Sequence, residues 1–209
     1  MIFKEIQLHI ESILNDLTEQ IPSIATDIDG MTSDKIRYLL NHIVGINENW
    51  VHLEVGCNKG ATLISSFYNN LTAKGIAYEN FSENQTKNIL NDNIAKYHSL
   101  IGDVKLIEND FFSDYKNVPF YGKFNSFFYD GVHSLSAHKK AVEISNEICT
   151  KTYILIIDDW NWYDVRTGTW IGISYIQPKS IIYWELSSRF NGDKETYHNG
   201  IGLFVIEKK

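Results

Sequence analysis

Two groups of residues in this chain are best suited to chemistry. One is Phe127-Phe128-Tyr129-Asp130-Gly131-Val132-His133, and the other is Ile154-Leu155-Ile156-Ile157-Asp158-Asp159-Trp160. Each closes an apolar run of strand character, and adjacent parallel strands would bring Asp130 beside the Asp158-Asp159 pair. Three carboxylates without a basic neighbour repel one another unless one is protonated or a cation lies between them. All-oxygen ligation selects a hard cation, Mg²⁺ first, then Mn²⁺ or Ca²⁺. Such a cation lowers the pKa of a bound hydroxyl. His133, with an ordinary pKa near ~6.5, is then spaced to take the proton. The same residues have plainer uses: Asp158 buried and hydrogen-bonded, Asp130 capping the helix after Ser134, and His133 exposed where that helix starts.

A second set falls at earlier strand ends. Leu53-Glu54-Val55-Gly56-Cys57-Asn58-Lys59-Gly60 follows the first apolar run, and ligands of doubly wound sheets bind at the carboxyl ends of the strands. Gly56 allows a tight turn, and Gly60 lets a ligand lie close to the next helix. The dinucleotide fingerprint needs glycine where Asn58 stands. Glu54 would repel a pyrophosphate and suits a cationic ligand or an ammonium group. Glu79 ends the run Gly75-Ile76-Ala77-Tyr78-Glu79, where it can accept both hydroxyls of a ribose. Asp110 and Phe111 follow the third run, suited to accept an amine hydrogen bond and to stack on a purine. Capping a helix and filling the core are their alternative uses.

These residues need elements to hold them. Apolar runs at 50–55, 75–79, 103–107, 124–129 and 152–158 read as strands, with helices near 61–72, 84–97 and 135–149 between them. That alternation predicts right-handed βαβ units and a parallel sheet covered on both faces. Ser180–Leu186 and Gly200–Glu207 have no helix between them and predict an antiparallel hairpin at the sheet edge. Residues 3–20 form an amphipathic helix, and Ser33 caps a second helix running through Ile43. The domain reading is therefore a helical lid or oligomerisation segment, 1–48, ahead of an α/β domain, 49–209. Trp160, Asn161, Trp162, Tyr163, Arg166, Thr167 and Trp170 combine aromatic faces with donors, as sugar and polyol sites do. The segment 187–199 would bring His198, a second candidate base, and Asn199 to the same edge.

The chain has 209 residues, 44% hydrophobic and 22% charged, which is ordinary for a globular domain. Nineteen Lys and Arg against 26 Asp and Glu leave a net charge of −7, which argues against a phosphate-tracking surface. Two cysteines, Cys57 and Cys149, make no disulfide framework and read as reduced thiols of a cytoplasmic protein. No apolar run approaches the ~20 residues of a membrane span.

On the strand-end residues Glu54, Gly56, Gly60, Glu79, Asp110 and Phe111, the sequence resembles the class I S-adenosylmethionine-dependent methyltransferases over about residues 50–207. The resemblance implies a doubly wound, mostly parallel seven-stranded α/β sheet with an antiparallel C-terminal hairpin. It also implies that Glu54, Gly56 and Gly60 line the methionine and ribose region, that Glu79 holds the ribose, and that Asp110 and Phe111 face the adenine. The D-G-x-H and D-D-W wording around Asp130, His133, Asp158 and Asp159 is similar to the metal-dependent sugar O-methyltransferases. In that group the acids hold Mg²⁺ and the histidine is the base. The expected partners are S-adenosylmethionine and a hydroxylated small molecule such as a sugar, with a homo-oligomer compatible with the N-terminal helix. Nucleic-acid amine methylation is disfavoured, because it needs a proline-bearing motif directly after the fourth strand, and Asp130-Gly131-Val132-His133 stands there instead. A metal-independent O- or N-methyltransferase and a cofactor-binding protein without turnover are the alternatives.

Overall fold

The apolar runs from residue 51 to residue 157 form five parallel strands in a computed structural model, which describes residues 2–17, 24–25, 27–82 and 86–209. They are β1 (Val51–Val55), β2 (Lys74–Glu79), β3 (Asp103–Glu108), β4 (Phe124–Tyr129) and β5 (Cys149–Ile157). The hairpin strands β6 (Ser180–Leu186) and β7 (Ile201–Glu207) complete a seven-stranded sheet of order β3-β2-β1-β4-β5-β7-β6. β7 lies between β5 and β6 and runs antiparallel to both. The chain moves outward from β1 through β2 to β3, then returns to place β4 on the other side of β1. That reversal opens the crevice where such sheets bind ligands.

The expected strands are all present, because their side chains alternate between two apolar layers. Ile154, Ile156, Leu203 and Val205 face one layer, while Leu155, Ile157, Phe204 and Ile206 face the other. Covering helices are α1 (Phe3–Asp16), α2 (Asp34–Val44), α3 (Ala61–Phe67), α4 (Thr86–Tyr97), α5 (Phe111–Asp114), α6 (Leu135–Ile148) and α7 (Tyr163–Ile176). Ser33 caps α2 by accepting the Ile36 N–H, as the sequence indicated. The expected start of α4 at residue 84 lies outside the described residues. Helix α7 occupies the stretch read as sugar-binding aromatics. Gly168 and Gly172 obscure its apolar spacing, but the packing demands them. A Cβ at Gly168 would lie 2.3 Å from the Leu135 carbonyl oxygen, and one at Gly172 would lie 2.7 Å from Val142 Cβ. Both cysteines are free and buried.

The N-terminal helices differ most from expectation. Ile6, Ile10 and Ile13 of α1 and Ile36, Leu39, Leu40 and Ile43 of α2 are buried in the same apolar cluster as Ile154 and Val205. These apolar residues are thus covered within the chain. The connection from α1 to α2 does reach the ligand crevice. Arg37 binds it by donating to the carbonyls of Ile24, Ala25 and Ile28. Asp29 pairs with Lys59 at 2.6 Å. No helix among the described residues is long and apolar enough to cross a membrane.

Candidate active site

A cavity of about 330 Å³ opens at the strand reversal. The turns after β1, β2, β3 and β4 supply its lining through Gly56, Glu79, Asp110 and Asp130, with Met31 on the rim. Gly56 has φ 87°, and a Cβ there would fall 1.9 Å from the Asp130 carbonyl oxygen. Only glycine lets the two turns touch this closely.

Three of the expected cofactor residues line the cavity with Gly56, each held by neighbouring chain. Glu79 accepts the Asn58 N–H at 2.8 Å with Oε2 and the Phe81 N–H at 3.1 Å with Oε1. Each carboxylate oxygen keeps a lone pair for a further donor. Asp110 caps α5 by accepting the Phe112 N–H at 3.3 Å and lines the cavity as well. Phe111 is buried among Tyr78 and Phe127 and presents the remainder of its surface to the cavity. Asp110 is thus a helix cap and Phe111 a core residue, and both also line the cavity.

Glu54 and Gly60 stand elsewhere. Glu54 lies within β1, fully buried, with Oε1 accepting from Thr62 Oγ1 at 2.6 Å. Burial, reinforced by the charges of Asp130 and Glu79, pushes its carboxyl up to about 8. It lies behind the cavity wall, because the strand pleat turns residue 54 toward α3. Gly60 does not line the cavity either; it starts α3 at φ 89°, and a Cβ would press on Leu90 Cδ1 at 2.8 Å. Its need for glycine comes from conformation and packing.

At the other end of the crevice, Asp130, His133 and Asp159 each offer a ligand atom within 4.8 Å of the others. His133 Nε2 lies 2.8 Å from Asp159 Oδ2 and 3.6 Å from Asp130 Oδ1. The neighbouring carboxylates of Asp130 and Asp159 push the imidazole up to about 10. Burial drives Asp130 up to about 6, against the pull of His133. Burial also pushes on Asp159, but His133 and Asn199 outweigh it and hold that carboxyl below its ordinary value. Asp159 Oδ1 accepts from Asn199 Nδ2 at 2.6 Å.

Asp158 is not part of this group. It is buried, its Oδ1 accepts the Asp159 N–H at 2.8 Å, and burial raises it well above the carboxylate range. The acids were expected to lack a basic neighbour; His133 is that neighbour, and in its protonated form it relieves their repulsion. The donor set still fits a divalent cation, since two carboxylates and an imidazole converge within 4.8 Å, and a cation there would take the place of the His133 proton.

The aromatic run divides. Trp162 meets the His133 ring edge-on, with centroids 4.8 Å apart. Trp160 is core and donates to Glu185. Arg166 is occupied by the Trp160 and Asn161 carbonyls. Tyr163, Thr167 and Trp170 line a separate groove between α7 and β6. His198, the second candidate base, is half-buried and paired through its backbone with Asp193. Its neighbour Asn199 makes the contact with Asp159. Sequence reasoning also passed over Asn58 and Met31, whose roles depend on folded proximity.

The sequence matches no protein-family model and no curated protein. Solved structures do match. An O-methyltransferase from Bacillus cereus in complex with SAH superposes with TM-score 0.62 at 14% identity, covering 95% of this chain and 90% of that one. A precorrin-6y C5,15-methyltransferase from Geobacter metallireducens gives TM-score 0.62 at 13% identity, covering 90% and 93%. The architecture is the Rossmann-like methyltransferase fold. A putative caffeoyl-CoA O-methyltransferase from Staphylococcus aureus, at 16% identity and TM-score 0.58, covers 97% of this chain and 96% of its own. In this methyltransferase fold the crevice described above lies at the sheet's reversal point.

Proposed function

We propose that the protein is an S-adenosylmethionine-dependent O-methyltransferase acting on a hydroxyl of a small molecule such as a sugar. Asp130 and Asp159 would hold a divalent cation, and His133 would be the proton acceptor. The observation that carries this reading is the continuity of one crevice, from Glu79, Asp110 and Phe111 at one end to Asp130 and His133 at the other. Bound S-adenosylmethionine supplies an electrophilic methyl group, and a divalent cation supplies positive charge and acidifies a hydroxyl.

The chain's own residues supply binding and proton transfer. Glu79 accepts ribose hydroxyls, Asp110 accepts from the purine amine, and Phe111 adds apolar surface. Buried Glu54 stands behind this wall. Neutral His133, with its Nε2–H directed at Asp159 Oδ2, would take the acceptor's proton at Nδ1, and Asp159 would stabilise the imidazolium that results. Trp162 walls the acceptor side. Orientation is the larger part of the catalysis, because the methyl group needs an oxygen in line and within reach.

A second reading has its own support. His133 lies at hydrogen-bond distance from Asp159, so its proton can serve as the cluster's cation and the reaction can proceed without metal. Assays on hydroxylated acceptors in Mg²⁺ and in EDTA separate the two. Loss of turnover in EDTA supports the metal reading; full turnover there removes it.

A further inference from the structure

The two oxygens of Asp159 have different partners. Oδ2 faces His133 Nε2 at 2.8 Å, while Oδ1 accepts from Asn199 Nδ2 at 2.6 Å. Asn199 comes from the segment between β6 and β7, 40 residues further along the chain. Its amide has one workable orientation, because Oδ1 already accepts the Gly192 N–H at 2.8 Å. The NH₂ group must therefore point at Asp159.

The surrounding backbone keeps it there. Asn161 N–H donates to the Asn199 carbonyl at 2.8 Å, and Gly200 N–H donates to the Tyr197 carbonyl at 2.6 Å. The Asn161 side chain ties the start of the segment by donating to Ser188 Oγ at 2.8 Å. Arg189 braces its middle against Asp193 at 2.8 Å. Asp159 itself leaves the end of β5 with φ 56°, away from extended strand geometry.

We propose that Asn199 is a positioning residue, engaging Oδ1 of Asp159 so that Oδ2 alone faces His133. Its kinetic consequence rests on the methyl-transfer reading above; the hydrogen bond does not. Charge matters as much as shape here. An asparagine amide donates to a carboxylate, whereas an aspartate of the same shape would set two negative groups against each other.

The test compares Asn199→Ala and Asn199→Asp with Lys194→Ala, an exposed position in the same segment. Loss of such a supporting hydrogen bond typically costs about ten- to a hundred-fold. That fall is expected in kcat for Asn199→Ala and a larger one for Asn199→Asp, with cofactor affinity and the Lys194→Ala enzyme at wild-type values. Unchanged kcat overturns the proposal. So does a fall in which cofactor affinity and melting temperature drop together, which marks the residue as structural.

Hydrogen exchange of the side-chain amides, read by ¹⁵N NMR, decides the point even if no acceptor is ever methylated. One Asn199 Nδ2 proton should exchange more slowly than those of exposed Asn47, and Asp159→Ala should release it. An unprotected proton, or one that Asp159→Ala leaves protected, refutes the bond.

Discussion

The two ends of the crevice are built differently. At the Glu79 end, carboxylates are aimed by backbone N–H groups, those of Asn58 and Phe81 for Glu79 and that of Phe112 for Asp110. At the His133 end, side chains aim one another: Asn199 holds Asp159, and Asp159 with Asp130 holds His133. Backbone-aimed groups are fixed once their turns form. Side-chain-aimed groups form a chain in which each member depends on the last, so loss of one should propagate. The first end suits tight, constant recognition of one ligand, and the second suits a proton that must move.

The largest effect should come from the second end. His133→Ala is expected to lower kcat by about 10²–10⁴-fold while leaving cofactor affinity near wild type. Turnover assays with calorimetry check this, and unchanged kcat would remove His133 as the proton acceptor.

The first end should show the complementary pattern. Glu79→Ala removes a charged acceptor, worth roughly 1.5–3 kcal/mol, and should weaken S-adenosylmethionine binding about ten- to a hundred-fold. Calorimetry showing equal affinity would refute the ribose contact.

A smaller effect concerns pH and stability in metal-free protein. His133 is raised from 6.5 to about 10, so its pairing stabilises the fold fully below pH ~6.5 and is lost as pH rises through about 10. Melting temperatures of wild type and His133→Gln should therefore converge above that pH. A constant gap up to pH 11 would show that the pairing does not titrate as described. The smallest change is expected outside the crevice, where Tyr163→Ala in the α7–β6 groove should leave acceptor KM within about two-fold, a surface effect. A large rise in KM would make that groove the acceptor site.

The contrast between the ends also explains what the sequence could tell. Glu79 and Asp110 each sit two residues from a backbone donor that orients them, with Asn58 of the neighbouring turn added for Glu79, so strand-end position sufficed to single them out. Asn199 is 40 residues from Asp159, and nothing local marks its amide as a partner. The strands and the hairpin were legible through apolar runs with two buried faces. Glu54 does not line the cavity because being one residue inside the strand reverses the side a residue faces. Asp158 and Asp159 looked equivalent, yet the left-handed backbone at Asp159 separates them, sending one to the core and one to His133. The N-terminal helices were recognisable as amphipathic. What they cover, the α3 and sheet face, depends on packing that no periodicity specifies.

The most direct test is a crystal structure of the full chain soaked with S-adenosylhomocysteine and Mn²⁺, with anomalous data collected for the metal. The account predicts the nucleoside along Glu79, Asp110 and Phe111, and an anomalous peak touching Asp130 and Asp159 with His133 beside it. A nucleoside bound elsewhere, or an empty crevice at saturating ligand, would contradict the account. A bound nucleoside with no peak at the acids would contradict its metal half and leave His133 and its carboxylates to act alone.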